Sequence, residues 1–310
     1  MTNTSWEGQW PEKARAGVEE LSTIQDMLRY GVSLLHEAEV FFGHGLEDAR
    51  EEAQLLIAFA LYLDWDIPQS LLRAKLTYAE RERIMQLFEE RIIERVPVAY
   101  ITGESWFCGL PFNVDERVLI PRSPIGQMLE QRFEPWWQGA DEPARILDLC
   151  TGSGCIGIAA ATFFPDAEVE LLDISFDALE VAQSNIERHQ LEDRVQAFQS
   201  DLFSAASGKY DLIISNPPYV DAQDMADLPS EYLHEPALAL EAGADGLDLV
   251  RIMLSQARDF LTDDGLLVVE VGNSWPALAA AYPQLPLVWP SFERGGHGVF
   301  VLQAKDLELL

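Results

Sequence analysis

The sequence is poor in cysteine, in basic residues and in long apolar runs, and each shortage excludes a class of protein. Three cysteines, Cys108, Cys150 and Cys155, are too few for a disulfide framework in a chain of 310 residues, so a reducing compartment is expected. Five scattered histidines form no HExxH or CxxC pattern, and no metal is expected. Lys and Arg total 21 against 52 Asp and Glu, a net charge of −31 that argues against binding a naked nucleic acid backbone. No stretch reaches the roughly 18 apolar residues that cross a bilayer. The polar start through Pro11 has no basic region ahead of an apolar run. A cytoplasmic protein with no membrane partner is expected.

What is present is the composition of a folded protein: 48% hydrophobic and 24% charged residues, with 20 Gly and 17 Pro. The length exceeds the roughly 100–200 residues of a single domain. From Gly17 to Arg95, Leu21, Ile24, Leu28, Leu34, Leu35, Ala53, Leu56, Ile57, Ala60 and Leu61 recur at three- and four-residue spacing, predicting a helical domain over residues 1–96. Aromatic and β-branched residues with turn signals at Gly103, Gly109 and Asp115 predict a β-hairpin over 97–121. Over 122–310 the pattern becomes alternating strands and helices. Strands are expected near 146–150, 169–173, 195–199, 212–215 and 266–271, with two more near 285–289 and 299–304 as a terminal antiparallel pair. The expected fold class is therefore α/β, an open and mostly parallel sheet of seven strands behind a helical N-terminal domain.

The run from Asp148 to Gly157, DLCTGSGCIG, closes the first of these strands and opens a helix. Its glycines, Gly152, Gly154 and Gly157, allow a sharp turn, clear side chains from a ligand's path and leave helix N-terminal amides free. Asp173, ending the second strand, is placed to accept hydrogen bonds from the two hydroxyls of a ribose. Asp148 beside a pyrophosphate would repel it, whereas beside an amine it would attract, which favours S-adenosylmethionine over a dinucleotide. Asp148 orienting the loop through backbone amides is the alternative. Asp201 and Leu202, after the third strand, are candidates to receive an adenine amine and ring, or else a helix cap and core residue. Thr151 completes the candidate cofactor set. Cys150 and Cys155 read as small core residues.

Asn216-Pro217-Pro218-Tyr219 follows the buried run Leu212 to Ser215. Two prolines stiffen the strand exit and fix the direction of their neighbours. The Asn216 side-chain oxygen and the Pro217 carbonyl can each accept one hydrogen of a planar NH2 group while Tyr219 packs on its face. An amide nitrogen is a weak nucleophile, so acceptors that hold it near an electrophilic methyl matter more than a strong base. Asn216, Pro217 and Tyr219 are the candidate catalytic residues, and the same three with Pro218 the candidate substrate contacts; Asn216 is also a candidate cofactor contact.

Together, DLCTGSGCIG at 148–157, Asp173, Asp201-Leu202-Phe203 and NPPY at 216–219 resemble the class I S-adenosylmethionine-dependent methyltransferases, with their Rossmann-like sheet. More closely, nearly the whole chain resembles the protein-(glutamine-N5) methyltransferases, whose helical N-terminal domain helps recognise a protein substrate. The residues Val98 to Glu104, Pro121-Arg122-Ser123-Pro124-Ile125-Gly126, Val269 to Ser274 and Phe292 to Gly296 are similar to the branch acting on large-subunit ribosomal protein three. The release-factor branch instead carries P-R-P followed by an acidic residue, Thr and Glu. The resemblance implies a glutamine of that basic ribosomal protein, free or in a ribosome assembly intermediate, as the acceptor. It also puts Arg122 near the cofactor carboxylate or the active-site loop, against a domain-junction ion pair. Gln127 departs from the pattern, standing where an acidic residue is expected.

Three other readings compete: methylation of release factors, adenine N6-methylation of nucleic acid through a flipped base, and a non-catalytic clamp on a ribosomal protein. The charge counts against the second, and the intact Asn216, Asp173 and glycines against the third. The long acidic segment from Asp221 to Glu241 reads as a lid that grips a basic substrate, with Glu231 to Pro236 near its entrance.

Overall fold

A computed structural model describes residues 4–310, so the first three residues of the polar N-terminal stretch lie outside the described residues. The chain divides into two compact units, Met1–Glu104 with Pro229–His234, and Ser105–Leu228 with Glu235–Leu310.

The first unit is built from α1 (Thr4–Glu20), α2 (Ile24–Glu37), α3 (Ala49–Ala60), α4 (Tyr78–Ile92) and α5 (Val98–Thr102). Thr23 and Thr77 open α2 and α4 with capping boxes completed by Asp26 and Glu80. The apolar stripes then meet in one core that includes Met27, Leu34, Leu56, Ile57, Ile84 and Phe88. Within that core lies a buried ion group. Arg91 donates to Glu52 at 2.7 Å, to Glu231 at 3.3 Å and to the Phe41 carbonyl at 2.8 Å. Glu231 also accepts from the Phe41 amide at 3.0 Å and from Arg95 at 3.3 Å. A carboxylate as deep as Glu231 is tolerated because two guanidinium groups and a backbone amide donate to it.

The stretch expected to form a hairpin from residue 97 starts as a helix instead. Pro97 fixes the entry, and Gly103, at φ +72°, provides the left-handed exit that ends α5. The hairpin itself is shorter: β1 (Glu104–Phe107) and β2 (Leu110–Asn113) joined through Cys108 and Gly109, both at positive φ.

The second unit continues through α6 (Ile125–Glu130), β3 (Arg145–Leu149), α7 (Cys155–Phe163), β4 (Glu168–Asp173), α8 (Phe176–Arg188), β5 (Val195–Gln199) and β6 (Tyr210–Ser215). It ends with α9 (Ala222–Asp227), α10 (Asp248–Phe260), β7 (Leu261–Glu270), α11 (Trp275–Ala281) and β8 (Val299–Gln303). The sheet runs β5-β4-β3-β6-β7-β8, parallel except for β8 against β7. The residues of α7 from Cys155 to Ala161 are all buried, as befits a helix covered on every side.

The sheet has six strands, not the expected seven. Residues 285–289 contribute one antiparallel bridge, Val288 with Val301, whose amides and carbonyls exchange both hydrogen bonds. In this register the next bonding positions on either side would fall on Pro286 and Pro290, neither of which has an N–H to donate. The ladder therefore stops after a single pair.

Candidate active site

The strands β3, β4 and β6 end level, with Leu149 in register with Leu172 on one side and Ser215 on the other. The chain leaves β3 toward β4 but later returns to its opposite side as β6, so the loops diverge and a crevice opens there. A cleft occupies this place, lined by Cys150 to Ser153, Asp173, Asn216, the strip from Arg117 to Ser123, and Pro236, Leu238 and Ala239.

The glycine turn divides its labour. Gly152, at φ +56°, has nothing within 4 Å of where a Cβ would stand, so its backbone is bare. Gly154, at φ +81°, caps α7 in the left-handed region. Gly157 serves packing: a Cβ there would fall 2.1 Å from Leu171 Cδ2. The Gly152 amide donates to Asp173 Oδ2 at 2.9 Å, and the Ser175 amide to Oδ1 at 2.9 Å. Burial raises the Asp173 pKa while these backbone donors pull it down. Each oxygen keeps a lone pair for a further donor, and Asp173 faces the cleft.

Asp148 lies beneath the turn, fully buried, rather than in the cleft wall. Its Oδ2 accepts from the Thr151 hydroxyl at 2.5 Å and from the Gly157 amide at 2.9 Å. Its Oδ1 is buried with no hydrogen-bond partner among the described residues. Burial pushes this carboxyl up to about 7. Thr151, in contrast, reaches the cleft. Asp201 stands exposed after β5, and Leu202 is buried at φ +46°; neither lines the cleft. Phe203 stacks on Phe260 at 4.7 Å in the core and does not line the cleft. Cys150 and Cys155, expected in the core, both line the cleft instead, and burial pushes both thiols far up, which keeps them protonated and unreactive.

Asn216 lines the cleft at the exit of β6, and its side-chain oxygen is buried with no partner among the described residues. Pro217 and Pro218 are buried behind it. Tyr219 donates its hydroxyl to Glu270 Oε1 at 2.8 Å, and its carbonyl accepts from the Ser274 hydroxyl at 3.0 Å. Asn216 and Asp173 thus share one cleft with the glycine turn, whereas Asp148 supports it from below.

Arg122 grips Glu235 through two hydrogen bonds. Glu231, expected at a substrate entrance, is instead buried in the first unit. Gln127, the departure from the expected acid, donates to the Gly295 carbonyl at 3.0 Å and accepts from the Arg294 amide at 3.0 Å. A carboxylate could accept but not donate, so the amide satisfies both groups of that turn.

Three residues have supporting roles that the sequence motifs did not indicate. Glu235 and Glu270 are acids whose partners are remote in sequence, Arg122 for the first and Ser123 and Tyr219 for the second. Asn185 accepts from the Asn113 amide at 2.7 Å and donates to the Ser153 carbonyl at 2.9 Å, tying β2 to the glycine turn. It left a usable signal: a polar residue on the face of α8 that buries Val181, Ala182 and Ile186.

The donor set suits a nucleoside bearing a positive centre. A bare glycine backbone, an acid at the β4 tip with free lone pairs and an unpartnered buried carbonyl are what the ribose and the methyl end of S-adenosylmethionine require.

Residues 137–245 match the methyltransferase small domain family, and residues 26–103 the PrmC N-terminal domain. The ribosomal protein uL3 glutamine methyltransferase of Francisella tularensis is 46% identical over 96% of this chain and 95% of its own length. That of Neisseria gonorrhoeae is 47% identical over 93% of this chain and 97% of its own. The hMettl16 catalytic domain, solved with the MAT2A 3′UTR hairpin 6, shares the fold at a TM-score of 0.51 and 16% identity, covering 73% of this chain and 81% of that one. With relatives this similar along nearly its whole length, the chain belongs to the ribosomal protein uL3 glutamine methyltransferase family, S-adenosylmethionine-dependent enzymes that methylate protein.

Proposed function

We propose that this enzyme methylates the side-chain amide nitrogen, N5, of a glutamine in ribosomal protein uL3. The observation that carries the reading is the buried, unpartnered Asn216 oxygen in the wall of the cleft. A buried acceptor without a donor costs about 1–3 kcal/mol, a cost offset when an amide hydrogen reaches it. S-adenosylmethionine, when bound, supplies a methyl group made electrophilic by a positive sulfur.

Asp173 accepts the ribose hydroxyls, while Thr151, Gly152 and Gly154 present the turn against which the nucleoside lies. Asp148 with Gly157 keeps the turn in shape from below, while Asp201 and Leu202, which stand outside the cleft wall, are given no contact with the cofactor. Asn216 Oδ1 and the Pro217 carbonyl hold the two amide hydrogens, so the nitrogen is fixed in orientation and the charge it develops meets two carbonyl dipoles. Pro218 keeps the loop rigid, and Tyr219 supports the amide plane.

The acceptor side chain must enter a cleft, so uL3 is modified free or in a ribosome assembly intermediate, in the cytoplasm. A net charge of −31 favours encounter with a basic ribosomal protein. The test is a side-by-side incubation with labelled S-adenosylmethionine and either purified uL3 or a peptide chain release factor, followed by peptide mass spectrometry. One methyl on a uL3 glutamine is expected. Modification of the release factor alone, or of a residue other than glutamine, would overturn the assignment.

A further inference from the structure

Glu270 ends β7 almost fully buried, and both of its oxygens are taken by hydroxyl groups. Tyr219 donates to Oε1 at 2.8 Å and Ser123 donates to Oε2 at 2.6 Å. Ser123 is itself held, its oxygen accepting the Ile125 amide at 3.2 Å at the start of α6. The Tyr219 ring lies against the backbone of Gly272, where a Cβ would stand 2.3 Å from ring atom Cε2. A Cβ on Gly246 would stand 2.2 Å from the Tyr219 carbonyl, and one on Gly298 would stand 2.2 Å from the carbonyl of Gly272. Ser274 and three glycines are therefore shaped around one aromatic residue, and the Ser123–Glu270 pair fixes its outer end.

We infer that Glu270 is a positioning residue for methyl transfer, holding the Tyr219 ring in the plane the acceptor amide needs, and that Ser123 orients Glu270 for this task. The inference rests on the proposed role of Tyr219 beside the amide. A tyrosine anchored only by packing slides and tilts against a flat substrate. One whose hydroxyl is tied to a buried carboxylate keeps both tilt and height. Ser123 carries the only hydroxyl within the Pro121 to Gly126 run, and beside the Arg122 ion pair with Glu235 its hydrogen bond to Glu270 is a second link from that run to the cleft.

The experiment is a double-mutant cycle on the full chain with Glu270→Gln, Tyr219→Phe and the pair. Glu270→Gln preserves volume. Each single variant is expected to lower kcat about tenfold with cofactor Kd changed less than about twofold, and the pair to be no slower than Tyr219→Phe alone. Losses that multiply to about a hundredfold, or an unchanged kcat in Glu270→Gln, would overturn the role. Should Glu270→Gln fail to fold, Ser123→Ala takes its place in the same cycle. A second reading needs no substrate: the isotope-labelled ring carbon bearing the Tyr219 hydroxyl must shift in both Ser123→Ala and Glu270→Gln. A signal that stays put in either variant breaks the chain from Ser123 to Tyr219. A wild type that leaves uL3 unmodified contradicts the functional assignment alone, and the spectroscopic result then still decides the relay.

Discussion

Arg122 and Glu235 face each other fork to fork, Nη1 donating to Oε1 at 2.5 Å and Nη2 to Oε2 at 2.6 Å, and the Ile120 amide adds a third donor to Glu235 at 3.0 Å. The pair joins two walls of the cleft, the strip containing Ile120 and Arg122 and the turn that starts at Pro236. Arg122→Ala would leave the buried Glu235 carboxylate without its guanidinium partner, and should cost about 3 kcal/mol of stability while weakening cofactor binding. Arg122→Lys should recover only part of this, because an ammonium cannot reproduce the planar fork. Chemical denaturation and calorimetric titration with S-adenosylmethionine read the two effects separately.

The glycines at 152 and 157 predict opposite phenotypes. Gly157→Ala would drive a methyl group into Leu171 and should cost about 1–3 kcal/mol of stability through overpacking, with cofactor affinity reduced only secondarily. Gly152→Ala meets no protein atom, so its stability cost is the roughly 1–2 kcal/mol of a left-handed backbone, but its methyl occupies the ligand's side of the turn. Its cofactor Kd should rise at least about tenfold, as a binding isotherm will show.

Asp148 gives the fold a pH dependence of definite sign. Its carboxyl titrates near 3.8 when unfolded and is raised to about 7 in the folded protein by burial. The folded state then binds the extra proton, so this contribution is fully present below about 3.8 and is lost as pH rises through about 7. Asp148→Asn does not titrate, and its stability should fall less than that of the wild type across this window, by at most about 4 kcal/mol. Melting temperatures of both proteins at a series of pH values give the comparison.

Where the geometry is local, the sequence was sufficient to place it. The turn at Gly152 and Gly154, the acid at the end of β4 and the rigid exit at Asn216 each rest on neighbours within a few residues, and the spacing of apolar residues located β3 to β7. Local signals failed where pairing is distant or where punctuation outweighs propensity. Pro97 and Gly103 turned a β-branched run into α5, and Pro286 and Pro290 cut a strand down to one bridge. The acids of the segment after Tyr219 read as a face for a basic partner. Glu231 and Glu235 are instead consumed internally, by Arg91 and Arg95 in one unit and by Arg122 in the other. Nothing in their own vicinity announced those arginines. Asp148 was open between two readings, and only its burial beneath the turn distinguishes support of the loop from contact with a ligand.

The proposed function depends on the carbonyl oxygen of Asn216 holding the acceptor amide. Asn216→Ala, assayed for methyl transfer to uL3 and for cofactor binding in parallel, tests this most directly. The prediction is a fall in kcat of about a hundredfold or more with the S-adenosylmethionine Kd changed by less than about threefold. Transfer at the wild-type rate, or a loss of activity explained wholly by lost cofactor binding, would contradict it.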